Sequence, residues 1–361
     1  MGGKSRSFSR AGRIVLRISF RVALAASCAG GARQAKAFEP SSTLAHVRAA
    51  GVLRCGMDAE EPEYSTTDDH GSRAAFDADL CRAVAVAVLG AKAHMEAASF
   101  PDDDAAMAAL KAGAVDLIPT LTDDFSHAAG SHLVYTRPLL WDGVGFLLYG
   151  ASPIKSAREL SSKKICFLAE TGVEETVRAW FAREHLSFVP FPFQEEGEMQ
   201  AAFTTNNCGA LAGERTRLAQ TRATLAEHGR HTRLLPETIG NDPLAAAVRD
   251  DDRQWLAIVN WLVEALIAAE ELGVTRANVR ELAAHAAQDI DPERRFLLGG
   301  SKQMGSALEL DDGWAARVIE ATGNYGEMYE RDLGGGSAVK LPRGMNKLER
   351  NGGLMEALPF R

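Results

Sequence analysis

The chain of 361 residues contains no run of the roughly 18 consecutive apolar residues that a membrane-spanning helix needs. It has no C-x-x-C, so neither a zinc ribbon nor thioredoxin-like redox chemistry finds support. A G-x-S-x-G nucleophile elbow, an H-E-x-x-H helix and a Walker-type phosphate loop are absent too, and the Gly-rich stretches at 299–300 and 334–336 lack a strand-to-helix setting. The 48 acidic residues outnumber the 40 basic ones. The net charge of -8 at pH 7 disfavours a general polyanion or nucleic-acid binder. With 46% hydrophobic and 24% charged residues, 33 Gly and 13 Pro, the composition excludes collagen, low-complexity disorder and a small disulfide scaffold. At this length two domains are expected, because single cores stop growing at roughly 250–300 residues.

The charge that is present is unevenly placed. Residues 1–37 hold Lys4, Arg6, Arg10, Arg13, Arg17, Arg21, Arg33 and Lys36 and no acid, which leaves 32 basic residues against 48 acidic ones in the remainder. A basic start, the apolar stretch Val22-Ala23-Leu24-Ala25-Ala26 and then Ala35-Lys36-Ala37 fit a secretory signal with an A-x-A cleavage site before Phe38. The mature chain is therefore expected to be exported. Leu24-Ala25-Ala26-Ser27-Cys28 only loosely resembles a lipid-attachment site, because Leu24 stands one place too far from the cysteine.

Four of the five cysteines then belong to the mature chain, and an even count in an oxidising compartment implies disulfides. Cys55 lies close to Cys81, and Cys166 to Cys208. Local pairing is the economical choice among the three possible connectivities.

From Thr43 onward short apolar runs alternate with helical patterns, which argues for α/β layers. Helices are expected over 43–50 and 76–89 and after Asp102, Asp103 and Asp104, where acids favour a helix start. Strands are expected over 52–57, 94–100 and 114–119. These are two consecutive β-α-β units, hence a parallel sheet with right-handed crossovers. Val144–Tyr149 reads as a long apolar strand, after which the pattern repeats from about Ser152 to Asn241. Leu244–Val248 reads as a strand returning to the first half, and Trp255–Glu271 as a strongly apolar helix stopped at Gly273.

These residues carry a specific resemblance. Gly-Val-Leu-Arg-Cys-Gly (51–56), Phe-Asp-Ala-Asp-Leu-Cys (76–81), Ala-Leu-Lys-Ala-Gly-Ala-Val-Asp (109–116) and Trp-Asp-Gly-Val-Gly-Phe (141–146) resemble the periplasmic solute-binding proteins of polar amino-acid ABC transporters. Asp-Pro-Leu-Ala-Ala-Ala-Val-Arg (242–249), Ala-Glu-Glu-Leu-Gly-Val-Thr (269–275) and Gly-Asn-Tyr-Gly-Glu (323–327) continue it. Pro-Arg-Gly-Met-Asn (342–346) and Asn-Gly-Gly-Leu-Met (351–355) are similar to the C-terminal extension of the general L-amino-acid-binding subgroup, whose two disulfides fall where Cys55, Cys81, Cys166 and Cys208 stand.

The resemblance implies an α/β, two-lobed periplasmic-binding-protein fold, each lobe a mostly parallel sheet flanked by helices, with a two-strand hinge. On that reading residues 1–37 are the signal peptide, 38–150 plus 243–287 the first lobe, 151–242 the second, and 288–361 an extension packing on the first. A periplasmic monomer that traps a small polar solute between closing lobes and delivers it to an ABC permease in the inner membrane is expected, with no cofactor, no metal and no nucleic-acid partner. A divergent binding protein used for sensing or accessory protein contact, and a cleft dehydratase using Glu214 or Glu170, are the competing readings.

Carried over residue by residue, the family's ligand chemistry fits unevenly. An α-carboxylate is gripped there by an arginine and helix N-terminal amides, and the ammonium by an acid of the second lobe. In Pro119-Thr120-Leu121-Thr122-Asp123-Asp124-Phe125-Ser126-His127 the place of the arginine is taken by His127, while Thr120 and Thr122 can still offer hydroxyl or backbone contacts. In the second lobe Thr171 and Gly172 open a helix, Glu170 brings negative charge to its start, and Glu214 stands where the ammonium-binding acid is expected. Tyr64 matches a cleft aromatic, with Asp58 and Glu61 near it. A pocket that keeps its acids and loses its arginine should bind ordinary α-amino acids weakly and favour a cationic or carboxylate-blocked solute.

Overall fold

A computed structural model describes residues 42–58, 73–301 and 304–361, with two sheet regions flanked by helices. The first region begins with α1 (Ser42–Ala50), β1 (Leu53–Asp58), α2 (Arg73–Leu89), β2 (Met95–Phe100), α3 (Asp103–Lys111) and β3 (Ile118–Thr122). β1 pairs in parallel with β2, and a parallel bridge from Cys55 to Leu117 joins β1 to β3. Thus β1 lies between its two successors, all parallel, as in two consecutive β-α-β units. Arg54 secures this arrangement, its guanidinium and backbone N–H both meeting Asp116 at 2.9 Å. The Asp102 carboxylate caps α3 by accepting from Ala105 N–H at 2.8 Å, and Gly113 ends that segment at φ +71.

After α4 (Phe125–Ala128), β4 (Leu133–Asp142) runs antiparallel to β10 (Asp242–Arg249), which also pairs antiparallel with β3. The sequence reading left Leu133–Asp142 unassigned. Pro138 interrupts its apolar pattern and sits opposite Ala245, where the register shifts. The second region comprises β5 (Val144–Tyr149), β6 (Lys164–Leu168), α5 (Gly172–Arg183), β7 (Val189–Phe193), α6 (Glu196–Thr204), β8 (Ala210–Glu214), α7 (Arg215–Glu227) and β9 (Thr232–Leu234), with strand order β7-β6-β8-β5-β9. Its β-α-β pairs β6–β7 and β6–β8 are parallel, whereas β5 runs antiparallel to β8 and β9. The expected first-lobe bounds of 38–150 include Val144–Tyr149. This segment is instead an inner strand of the second sheet, which shortens the crossing to Asp142–Val144.

The two crossings touch back to back. A Cβ on Gly143 would lie 2.0 Å from Gly240 O and 2.5 Å from Thr238 Cγ2, so only glycine fits between these backbones. Disulfides Cys55–Cys81 and Cys166–Cys208 join strand to helix in the first region and β6 to the start of β8 in the second, over sequence separations of 26 and 42. On the chain-entropy model each contributes roughly 3–4 kcal/mol.

The largest core surrounds α8 (Arg253–Glu271), whose apolar stripe from Trp255 to Ala269 is buried against α2 and the first sheet. Its N-cap Asp252 accepts from Trp255 N–H at 2.9 Å and also from Thr43 N–H at 2.8 Å, tying α1 to α8. The remaining chain, with α9 (Val279–Ala284), α10 (Pro292–Leu297), α11 (Trp314–Thr322) and α12 (Tyr325–Asp332), wraps this core. Tyr325 meets Phe76 edge to face at 6.2 Å, and Arg343 pairs with Glu270 through both nitrogens at 2.5 and 3.0 Å. The side-chain amide of Asn346 accepts from Trp141 N–H at 2.6 Å and donates to Trp141 O at 2.9 Å, one residue before the crossing.

Replacing Gly143 by alanine should cost at least about 1–3 kcal/mol, because the Gly240 backbone flanks the new methyl and moving the Thr238 side chain aside would not clear it. Gly197, inside α6 with nothing within 4 Å, serves as the control and should change little or gain on Gly197→Ala. Urea denaturation of both variants checks this; equal midpoints would contradict the crowded crossing.

Candidate functional site

In an open α/β sheet, ligands bind outside the carboxyl ends of the strands where the strand order reverses. In the second region the chain leaves β6 to one side for β7 and to the other for β8, so the reversal lies between Leu168 and Glu214. A cavity of about 260 Å³ opens there. Thr171 and Val173 of α5, Glu196 and Met199 of α6, and Arg217 and Leu218 of α7 line it, and Pro101, Asp102 and Asp103 close it from the first region. The corresponding reversal in the first region falls between the ends of β1 and β3, at Asp58 and at Thr120–Thr122.

Several expected site residues have structural tasks. The buried Thr120 hydroxyl donates to both carboxylate oxygens of Asp77, at 2.8 and 2.9 Å, and so fastens β3 to α2. Thr122 ends β3 half-buried. Asp58 closes β1, while Glu61 and Tyr64 lie outside the described residues. His127 lies on α4 with its Nδ1 2.8 Å from Asp124 Oδ1, and it is not among the residues lining the cavity. Burial works against the Asp124 charge, but the backbone N–H and ring of His127 outweigh it and hold that carboxyl below its ordinary value. The neighbourhood is acidic: after burial, Asp123, Asp124 and Asp103 are what push the Tyr135 phenol above its usual range.

Across the cleft, Thr171 caps α5, accepting from Glu174 N–H at 3.4 Å and donating to Leu168 O at 2.9 Å. Gly172 follows, exposed, with open space around it. Glu170 was expected to crowd this helix start with charge. The carboxylate that approaches it is that of Glu174, which accepts the Glu170 N–H at 2.9 Å and pairs with Arg178, while Glu170 is held at a left-handed φ of 60. Glu214 ends β8 at the cavity. Its Oε2 lies 3.4 Å from Nε of Arg217, and Nη1 of Arg217 lies 3.7 Å from Glu196. Arg217 and Glu196, with Asp102 and Asp103 of the first region, are the charged cavity residues that sequence reasoning missed as site residues. An arginine three places after the expected acid, one turn along a helix, was the available signal.

Behind the cavity, Asp142 is 4% exposed and caps α7 from the last position of β4. It accepts from Gly143 N–H at 2.8 Å, Arg215 N–H at 3.1 Å and Thr216 N–H at 3.3 Å, and from the Thr216 hydroxyl. Burial, with Glu214 nearby, pushes its pKa from 3.8 up to about 6 against these hydrogen bonds; Arg215 and Tyr329 are the other ionisable groups it faces. Among the described residues no group of three His, Cys, Asp or Glu side chains is placed to hold a metal ion, and no helix is long and apolar enough to cross a membrane.

No protein-family model matches the sequence. Among curated proteins, the chain is 37% identical over 344 residues to the general L-amino acid-binding periplasmic protein AapJ of Rhizobium johnstonii, covering 93% of this chain and 97% of that one. It is 36% identical over 341 residues to the glutamate/glutamine/aspartate/asparagine-binding protein BztA of Rhodobacter capsulatus, covering 94% and 97%. The chain belongs to the solute-binding proteins of amino-acid ABC transporters. A solved member of this periplasmic-binding-protein fold, from Brucella ovis with glutathione bound, superposes with a TM-score of 0.76 at 31% identity over 89% of this chain and all of that one. These relatives are named as binding proteins.

A raised pKa in the folded state means that the Asp142 contribution is fully present below pH 3.8 and is lost as pH rises through about 6. By pH 7 the buried charge costs on the order of 3 kcal/mol. Asp142→Asn keeps the capping oxygen without the charge, so its stability relative to the unmodified protein should rise by that order between pH 4 and pH 7. Urea melts across this range provide the check, and a pH-independent difference would contradict it.

Proposed function

We propose that the protein is the periplasmic solute-binding subunit of an ABC importer, that its ligand carries an α-amino-acid head group, and that the two lobes close over that ligand. The observation that carries this reading is the cavity at the carboxyl ends of β6 and β8, closed from the other lobe by Pro101–Asp103 and lined by carboxylates around one arginine. Export by a cleavable leader ending at Ala37, and delivery to a membrane permease, complete the proposal.

The carboxylates of Asp102, Asp103, Glu196 and Glu214 favour a ligand ammonium, and the presence of Arg217 lifts the expectation that a ligand carboxylate is excluded. Free amino acids and glutathione share that head group, since the γ-glutamyl end of glutathione keeps its α-ammonium and α-carboxylate. The names of the relatives, general L-amino-acid binding in one, four acidic and amide amino acids in another and a glutathione complex in a third, support this class.

A thermal-shift screen of the twenty proteinogenic amino acids and glutathione, followed by calorimetry, is the direct test. At least one ligand should bind with micromolar affinity, which stabilises the protein by about 2.7 kcal/mol at a hundredfold excess over Kd. No shift with any of them at millimolar concentration would contradict the proposal.

A further inference from the structure

The helix α7 presents two faces to different parts of the molecule. Arg217, Leu218 and Thr221 line the cavity. At 3.6 residues per turn Ala219, Arg222 and Ala223 fall on another side, where the two alanines enter the core around α8 and the arginine reaches the C-terminal chain. Val339 and Leu341 of that chain belong to the same core, whereas Leu218 belongs to the second lobe's core with Met199, Cys166 and Cys208. Arg222 donates through Nη2 to the carbonyls of Val339 and Lys340, the latter at 3.2 Å. The loop that carries these carbonyls is secured to α12: Gly334 N–H donates to Tyr329 O at 2.7 Å, Leu341 N–H to Leu333 O at 2.7 Å, and the Tyr329 hydroxyl to Pro342 O at 3.3 Å. Lys340 is held there at a left-handed φ of 44, a conformation that a non-glycine residue keeps only where its surroundings fix it.

We infer that α7 and the C-terminal chain form a brace between the lobes, and that ligand affinity is set in part at Arg222, which is not among the residues lining the cavity. The first lobe already fixes α7 at its start, where Asp142 accepts from the N–H groups of Arg215 and Thr216. One fixed point leaves the second lobe free to turn about it. Arg222 lies seven residues beyond Arg215, about 10 Å along the helix axis, and a second attachment at that distance opposes the turn. The conformer that makes the Arg222 bonds is the one in which Pro101, Asp102 and Asp103 line the cavity together with residues of the second lobe. A contact stabilises the conformer that makes it, so the brace favours the arrangement with both sides of the cavity within reach of one solute. Loss of these bonds lowers the population of that arrangement and raises the apparent Kd by the same factor. Resting on the solute-binding reading above, the brace gives the C-terminal chain a task within it: the lobe angle is set before the solute arrives.

Arg222→Met removes the donors and keeps an unbranched side chain, and Arg222→Lys returns one charged donor. Arg280→Met, which removes an exposed ion pair with Glu320 between α9 and α11, is the control. Small-angle X-ray scattering of the ligand-free proteins gives one readout. Calorimetry with the tightest binder among L-glutamine, L-glutamate, L-arginine and glutathione gives the other. In Arg222→Met the radius of gyration should rise and the affinity should fall by about 5- to 30-fold, the scale of hydrogen bonds from a charged donor. Arg222→Lys should lie between, and Arg280→Met should match the unmodified protein in both. A folded Arg222→Met with the radius and Kd of the unmodified protein would overturn the brace, and so would a change in one readout without the other. Should Arg222→Met fail to fold, Arg222→Lys decides by the same criteria. If the unmodified protein bound none of the four solutes, the solute-binding reading would fall and the radius of gyration alone would decide the brace.

Discussion

The buried carboxylate of Asp142 is the contact on which the geometry of the cleft depends. It is the last residue of β4, in the first sheet, yet its oxygens cap α7, in the second. A capped helix start is fixed in position and direction, and Glu214 and Arg217 stand immediately before and within that first turn. The charged pair at the cavity is thereby referenced to the crossing point and not to a mobile loop. The same carboxylate is costly to bury, which is why backbone donors and a hydroxyl converge on it.

Around this point the chain adds supports from distant sequence. Asn346 grips both polar groups of the Trp141 peptide, and Arg343 beside it is locked by Glu270 and lies over the rings of Tyr325 and Tyr329. From the second lobe, Arg222 of α7 donates to the carbonyls of Val339 and Lys340 in the C-terminal extension. The extension therefore touches both sides of the crossing. It holds the outgoing strand through Asn346 and the capped helix through Arg222 and through Ala219 and Ala223, which pack into the same core as Val339 and Leu341.

Much of this fold was legible wherever local pattern and tertiary role coincide. The apolar stripes of α2 and α8, the caps at Asp102 and Thr171 and the stop at Gly273 are statements about neighbouring residues, and the helices follow them. β4 and β9 were not legible. Pro138 breaks the pattern of the first, and the second has three residues whose pairing with β5 is decided by tertiary contact. The site divides in the same way. Thr171 and Glu214 could be named through the family resemblance, and both stand at element ends, whereas the task of Thr120 depends on Asp77 forty-three residues away and the position of Arg217 on how α6 and α7 meet. The family pattern directed attention to His127 in the first lobe. The arginine that lines the cavity, Arg217, lies in the second, and no local signal links the two.

Under the proposed function, a bound solute brings the first lobe's Pro101–Asp103 segment closer to the second lobe across the cavity. Small-angle X-ray scattering of the same sample without ligand and with a saturating amount of the tightest binder measures this directly. The account predicts a smaller radius of gyration and a sharper distance distribution in the bound state. Superimposable scattering curves from samples that calorimetry shows to be empty and fully occupied would contradict it.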